Sequence, residues 1–327
     1  VRLSLLDRSR TRTGYPEAAA LQHSVERAVA AEQLGYHRFW AAEHHAVPGV
    51  ASGAPAVLLA AAGAATSRIR LGSGGVMLPH HQPLVVAEQF LMLTGLYPQR
   101  VALGLGRTLG FTEPVRRALR QDSDDQQAYE NDVAETLAYL AGTAAVTARP
   151  AGGEPPEVFL LATGQGIESA ARLGLPVVIG GPVLREPELP EMLTQYRQQF
   201  RPSSAADEPA VIISAEVYIA ETDDDARDLA LPEAWAMARS RETGSFGPLE
   251  PVEEIRQQRW SPKTTQRVEK TLDRGFIGTR SKVRAQLAAL MEATEAQEVM
   301  VATSTYDREA LAELDAETAD LILGEGL

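Results

Sequence analysis

The sequence predicts an α/β fold: a closed parallel (β/α)8 barrel with insertions at the face where its strands end. Three observations predict it. Short apolar runs alternate with longer helical stretches along the whole chain, and that alternation means right-handed crossovers and a parallel sheet. There are about eight of each, the number that closes a barrel. No sustained Pro/Ser/Gly linker divides the 327 residues, so one barrel domain over 1–327 is expected.

The elements follow in order. Arg2–Asp7 reads as a strand. Pro16 opens a helical segment with apolar residues at Leu21, Val25, Ala28 and Val29, and Gly35 closes it. Arg38–Ala42 is the second strand and Pro55–Thr66 an Ala/Leu helix. Arg68–Val76 is the third strand, Leu84–Leu96 a helix, and Arg100–Gly106 the fourth strand. Then come a helix over Gln126–Leu140, a strand over Glu157–Ala162, a helix over Glu168–Leu173 and a strand over Pro176–Ile179. Pro190–Phe200 is helical, Val211–Ala220 a long strand and Asp223–Arg239 a helix. Lys282–Ala293 is helical, Glu298–Ala302 a strand and Arg308–Leu323 the last helix.

Two stretches interrupt the alternation. Thr108–Asp125 is irregular and charged, and Ser240–Arg274 is punctuated by Gly and Pro. Long insertions on a barrel serve as lids when they lie on the strand C-terminal side. The segment around 240–275, with Phe246 and Trp260, is the expected lid and source of substrate selectivity.

Composition excludes several classes. Lys+Arg 31 against Asp+Glu 44 leaves a net charge of −13, which argues against nucleic acid or an anionic membrane as partner. With no cysteine, disulfide, thiolate and iron–sulfur chemistry are ruled out. No apolar run reaches the roughly 18 residues of a membrane span, and the first residues lack signal-peptide order. A cytoplasmic location is the expectation.

Chemistry in a barrel sits just after the strands. After the second strand come Glu43, His44 and His45. After the third come Ser73, Gly74 and Gly75, then Met77, His80 and His81. After the fourth come Gly106 and Arg107, and after the fifth Thr163, Gly164 and Gln165. Adjacent residues on extended chain point opposite ways, so neither His-His pair is a ready two-ligand site, and no metal is expected. Gly74-Gly75 lets a flat ligand lie on bare backbone. Gly164-Gln165-Gly166, just before a helix, offers free N–H groups to an anion, and Arg107 adds a bidentate charge.

Three stretches, FWAAEHHAVPG, SRIRLGSGGVMLPHHQPLVVAEQF and GLYPQRVALGLGR, together resemble the bacterial luciferase-like flavin-dependent monooxygenases. Weaker matches run through VFLLATGQGIESAARLGLPVVIGG and FIGTRSKVRAQL. The resemblance is greatest to the subgroup that tailors bacterial natural products, aromatic polyketides included. It implies a luciferase-like TIM barrel that uses O2 and reduced FMN supplied by a separate reductase, and it implies a hydrophobic, polycyclic aromatic substrate. The oxygenation would be an epoxidation, a hydroxylation or a Baeyer–Villiger insertion.

By the same resemblance, His44 with Glu43 beside it handles the proton, and Gly74-Gly75 matches the family's non-prolyl cis peptide under the flavin. Ser73, Gly106, Arg107, Thr163, Gly164 and Gln165 hold the cofactor. The second phosphate-binding arginine of the family has no clear counterpart, and Arg116, Arg117 or Arg120 are the candidates. His45, Met77, Phe246 and Trp260 are expected on the substrate side; Leu5, Phe39 and Leu105 are candidates for further dry wall, with ordinary barrel core the favoured alternative for them. A homodimer through helices 54–66 and 84–96 is also implied. The alternatives are a deazaflavin F420-dependent oxidoreductase of the same fold, a non-catalytic flavin-binding protein, or a metal-dependent barrel hydrolase.

Overall fold

Alternate residues of a strand point to opposite faces, and that parity sorts the chain into the inside and the outside of a barrel. The structure, a computed structural model, describes residues 1–110, 112–121, 125–324 and 326, and the side chain of Gln165 lies outside the described set. The chain runs β1 (Arg2–Asp7), α1 (Ala18–Gln33), β2 (Arg38–Ala41), α2 (Pro55–Ala65), β3 (Arg70–Ser73), β4 (Val76–Met77), α3 (Pro83–Leu96) and β5 (Val101–Gly106). It continues α4 (Glu113–Ala118), α5 (Gln126–Leu140), β6 (Glu157–Ala162), α6 (Gln165–Leu173), β7 (Val177–Gly180), α7 (Leu189–Gln199), β8 (Val211–Ala215) and β9 (Val217–Ala220). It ends α8 (Asp223–Thr243), α9 (Val252–Gln257), α10 (Pro262–Leu272), β10 (Phe276–Thr279), α11 (Arg280–Thr294), β11 (Glu298–Val301) and α12 (Arg308–Ala319).

The sheet order β3-β2-β1-β11-β8-β7-β6-β5 closes through β3–β5, which is the expected eight-stranded parallel barrel. Strand β4 continues β3 past a break at Gly74-Gly75 and also pairs with β5. The long strand expected over Val211–Ala220 is two strands. β8 stays in the barrel, while β9 leaves it and pairs with β10 in a separate two-stranded sheet. The break falls at Glu216, whose carboxylate takes a hydrogen bond from Arg8 at 3.2 Å. The short α4, α9, α10 and β10 lie within or just beyond the two irregular segments, where no period announced them.

Outward residues of the strands, among them Leu5, Phe39 and Leu105, pack under the helices in the main core. They are therefore barrel core, the reading the sequence favoured over a place in the wall of the cleft. They sit one residue out of phase with the inward positions Leu6, Trp40 and Gly104. The barrel is filled by Trp40, Ala102, Phe159, Val178, Ile212 and Met300, with Leu6 and Leu161 above them. Gly72 and Gly104 have packing reasons. A Cβ on Gly72 would lie 2.5 Å from the Trp40 ring, and one on Gly104 would lie 2.1 Å from the Ser73 carbonyl oxygen.

The N-terminal end of the barrel is closed by charge. Arg38 is 1% exposed. It donates to both carboxylate oxygens of Glu298 at 3.0 and 3.1 Å and to Glu157 at 2.7 Å. Its guanidinium lies 4.9 Å from the Trp40 ring centre and 5.0 Å from that of Phe159. Among the described residues, no helix is long and apolar enough to cross a membrane.

Candidate active site

The opposite end of the barrel opens into a cleft of about 1100 Å³. The loop after β2 builds one wall. It folds back on itself, with the His44 amide donating to Ser52 O at 2.9 Å and Ser52 Oγ to Ala42 O at 2.7 Å. His44 faces the cleft. Burial, then the nearby Arg8 and Arg10, push its pKa down to about 4, so the imidazole is neutral at neutral pH.

Glu43 is the anchor of that loop. One of its oxygens receives His45 Nε2 at 2.5 Å and His81 Nε2 at 2.6 Å, and the other receives the Met77 amide at 3.0 Å. Burial opposes the charge, but the two imidazoles and the amide outweigh it and hold the pKa at about 2. Each His-His pair thus splits as the alternation requires. One histidine of each pair meets Glu43, a grouping no spacing in the sequence reveals. The three are of metal-ligating types and lie close together. The contacts at 2.5 and 2.6 Å make them a hydrogen-bonded triad. Glu43 positions the loop, and His45 is spent on Glu43 without reaching the cleft lining.

The floor is bare backbone and apolar side chain. The Gly74-Gly75 peptide is cis, and both glycines line the cleft with Leu6, Met77, Gly106 and Leu161. Ser73 does not reach it. Ser73 is fully buried and its hydroxyl bridges Gly104, donating to the carbonyl at 3.0 Å and accepting from the amide at 2.9 Å.

Between the ends of β5 and β6, the cleft is lined by Arg107, Thr163, Gly166, Gln126 and Tyr129. Arg107 donates to Gln126. Tyr129 is 4% exposed and its hydroxyl has no hydrogen-bond partner among the described residues. A buried hydroxyl left open beside a guanidinium is a place for an anion. Gly164 caps α6 with φ +52°. Arg116, Arg117 and Arg120 do not line the cleft, and Arg117 is paired with Glu113. Tyr129 and Gln126 line the cleft beside Arg107 where those arginines do not. Nothing in the local sequence pattern of α5 singles out Tyr129.

The segment 240–275 reaches the cleft, but not through its aromatics. Phe246 is buried against Val47, Val50 and Ala236, with the Arg10 guanidinium 4.2 Å from its ring centre. Trp260 stacks on Trp235 at 5.1 Å and donates to Ile255 O at 3.0 Å. Both hold the insertion to the barrel. Arg241 at the end of α8, Arg267, Lys270 and Thr271 on α10, and Arg274 beyond it are the residues that face the opening.

Residues 1–298 match the family model described as luciferase-like monooxygenase. A protein of Escherichia coli strain K12 called a luciferase-like monooxygenase is 36% identical over 321 residues, spanning 95% of this chain and 93% of that one. The crystal structure of apo-MsnO8 superposes with a TM-score of 0.89 at 33% identity, covering 99% of this chain and 98% of that one. The oxygenating constituent of 3,6-diketocamphane monooxygenase from Pseudomonas putida, a type II Baeyer–Villiger enzyme in complex with FMN, shares the fold. Its TM-score is 0.75 at 16% identity, covering 100% of this chain and 98% of that one.

Proposed function

The chain belongs to the luciferase-like monooxygenase family, and from that premise we propose that it is the oxygenating component of a two-component system. It takes reduced FMN from a separate reductase and uses O2 to oxygenate a hydrophobic, polycyclic aromatic compound of natural-product type, by epoxidation, hydroxylation or Baeyer–Villiger insertion. The observation that carries this reading is a single cleft that holds three things together: the bare Gly74-Gly75 floor, the neutral His44, and the open Tyr129 hydroxyl beside Arg107. Its volume of about 1100 Å³ exceeds the roughly 300–1,000 Å³ of a site for one small ligand and suits a cofactor and a second molecule side by side.

The residues present fit FMN. Arg107, the Tyr129 hydroxyl, Thr163 and the amides that open α6 would hold its phosphate, with Gly74, Gly75 and Gly106 against its ring. When bound and reduced, FMN supplies the electrons that activate O2. Leu6, Met77 and Leu161 keep water from the floor. His44, neutral and half-buried, gives or takes one proton at a time of the enzyme's choosing. Arg8 fixes a positive charge beside it and keeps the imidazole from protonating early. Glu43, through His45, His81 and the Met77 amide, holds the His44 loop in place without a metal. A chelator is expected to leave flavin affinity unchanged.

A homodimer belongs to the same proposal. Helices α2 and α3 expose Val57, Val85, Met92 and Leu96, an apolar surface of the kind that symmetric dimers cover. A cytoplasmic location is part of the same proposal.

The test is rapid mixing of the protein, loaded with photoreduced FMN, against oxygenated buffer while the near-UV spectrum is followed. A transient distinct from oxidised FMN, shortened at least tenfold in His44→Ala, is expected. Oxidation indistinguishable from that of free FMN, with and without polycyclic aromatic compounds, together with tight binding of F420, would replace this reading by F420-dependent hydride transfer.

A further inference from the structure

Charge around the cleft is distributed against the composition of the chain. The protein carries −13 overall, yet its cleft is lined by six cations (Arg8, Arg107, Arg241, Arg267, Lys270 and Arg274) and by two carboxylates, Glu43 and Glu216. Both carboxylates are spoken for, Glu43 by His45 and His81, and Glu216 by Arg8. Two of the cations also have evident partners in the wall: Arg8 with Glu216 and Glu233, and Arg107 with Gln126. The remaining four come from α8, α10 and the turn after α10.

The spacing on α10 separates them from the packing face. Thr264, Val268 and Leu272, four residues apart, are buried, and α10 packs along α8. Arg267, Lys270, Thr271 and Arg274 follow the i, i+3, i+4, i+7 pattern of another helix stripe, continued one residue past the last turn, and that stripe faces the cleft. Arg267 has Glu242 at 3.9 Å. Arg241, Lys270 and Arg274 make no side-chain hydrogen bond or ion pair among the described residues. Cations near helix ends gain a little from the helix dipole, but that gain is the same on any face and does not account for four of them converging on one opening.

Their place on the barrel separates them from the cofactor's phosphate end. That end lies between β5 and β6, whereas α8 and α10 follow β8 and β9, two strands further round the barrel from β6. The floor between them is apolar. A ligand lying on that floor would therefore present a flat apolar body to Leu161 and Met77 and an anionic end to α10.

We propose that the substrate carries a carboxylate, and that Arg241, Arg267, Lys270 and Arg274 form the subsite that recognises it. This inference rests on the oxygenase reading and adds a handle to the substrate that reading requires. The insertion after β9 is then a selectivity element that works by charge, where the sequence suggested an aromatic lid.

The test uses the full-length protein with oxidised FMN present and absent, and two fluorescent probes of the same shape, 1-pyrenebutyrate and 1-pyrenebutanol. The wild type is expected to bind the acid about tenfold more tightly than the alcohol in low salt, with the preference shrinking as ionic strength rises. In the triple variant R241Q/K270Q/R274Q, all three positions being exposed, the preference should vanish while alcohol binding and FMN affinity stay within twofold. An unchanged thermal midpoint checks that the variant folds. Equal binding of the two probes to the wild type overturns the proposal, and so does a preference that survives in the variant. A parallel loss of FMN affinity overturns it too, because the cations would then serve the cofactor. If the wild type fails to bind FMN at all, the oxygenase reading falls, and the acid–alcohol comparison still decides the charge subsite.

Discussion

The barrel strands run through both ends of its interior, but the C-terminal end also takes groups from α5, α8, α10 and the turn after α10. Beside paired groups such as Arg8 and Glu43, it leaves several polar groups open. At the N-terminal end, Arg38 is closed in by Glu298, Glu157 and two aromatic faces, with Ser4 donating to Glu298. At the C-terminal end, a buried tyrosine hydroxyl and three exposed cations have no partner among the described residues. Buried charge that is held by opposite charge serves the fold, because removing either partner strands the other; of the Arg38 nitrogens only Nε has no partner among the described residues. Polar groups left open around a cavity are available to a ligand. The difference separates residues that hold this protein together from residues that give it work to do.

The largest effect should come from breaking the closed end. Glu298→Ala leaves the Arg38 guanidinium buried with only Glu157, itself half exposed, and is expected to cost about 3–5 kcal/mol, read from urea unfolding. Flavin binding by the molecules that remain folded should be normal. A loss under about 1 kcal/mol would erase the contrast drawn between the two ends.

His44→Gln tests the open end with the opposite signature. The flavin transient should shorten by about 10²-fold or more, with little loss of stability at pH 7. The pH dependence follows from the sign of the shift. A histidine whose folded pKa is lowered from 6.5 to about 4 binds fewer protons folded than unfolded between those values. Its contribution is whole above pH 6.5 and is lost as pH falls toward 4, up to roughly 3 kcal/mol. The variant should lose that part of the wild-type decline between pH 6.5 and 4. Identical slopes for the two proteins in that window would mean His44 is not held neutral by its surroundings. Glu43, with its pKa lowered from 4.5 to about 2, adds a separate loss between those lower values, and both proteins should retain it.

A smaller effect sharpens the phosphate end. Tyr129→Phe removes one open hydroxyl, so FMN should bind about threefold to tenfold more weakly, while riboflavin, which lacks the phosphate, should bind as before. Equal weakening of both ligands would move the anion away from Tyr129. The smallest expected change concerns the outer surface. Met92→Glu should convert a dimer to a monomer in light scattering and leave FMN affinity unaltered, and a monomeric wild type would end the dimer reading.

How much was legible is clearest at particular residues. The alternation of strand and helix, the chain order of the barrel strands and the loop placement of Glu43, His44, Gly74, Gly75, Arg107 and Thr163 follow from local patterns. Those patterns are set by backbone geometry and by which faces must be apolar, and they are written in neighbouring residues. Parity should also have placed Leu5, Phe39 and Leu105 outside, because Leu6, Trp40 and Gly104 beside them point in. Other features belong to the tertiary structure alone. Glu43 meets the neighbouring His45 and, across 38 residues, His81, and Tyr129 reaches the cleft on α5, which packs along α3. Phe246 and Trp260 turn to the core, leaving the cations of α10 to face the cleft. In each case the deciding contact joins segments distant in sequence. The sequence by itself therefore determined the scaffold and the chemistry available on it. Closure of the barrel decided which of those groups meet, because only closure brings the ends of separate strands to one place.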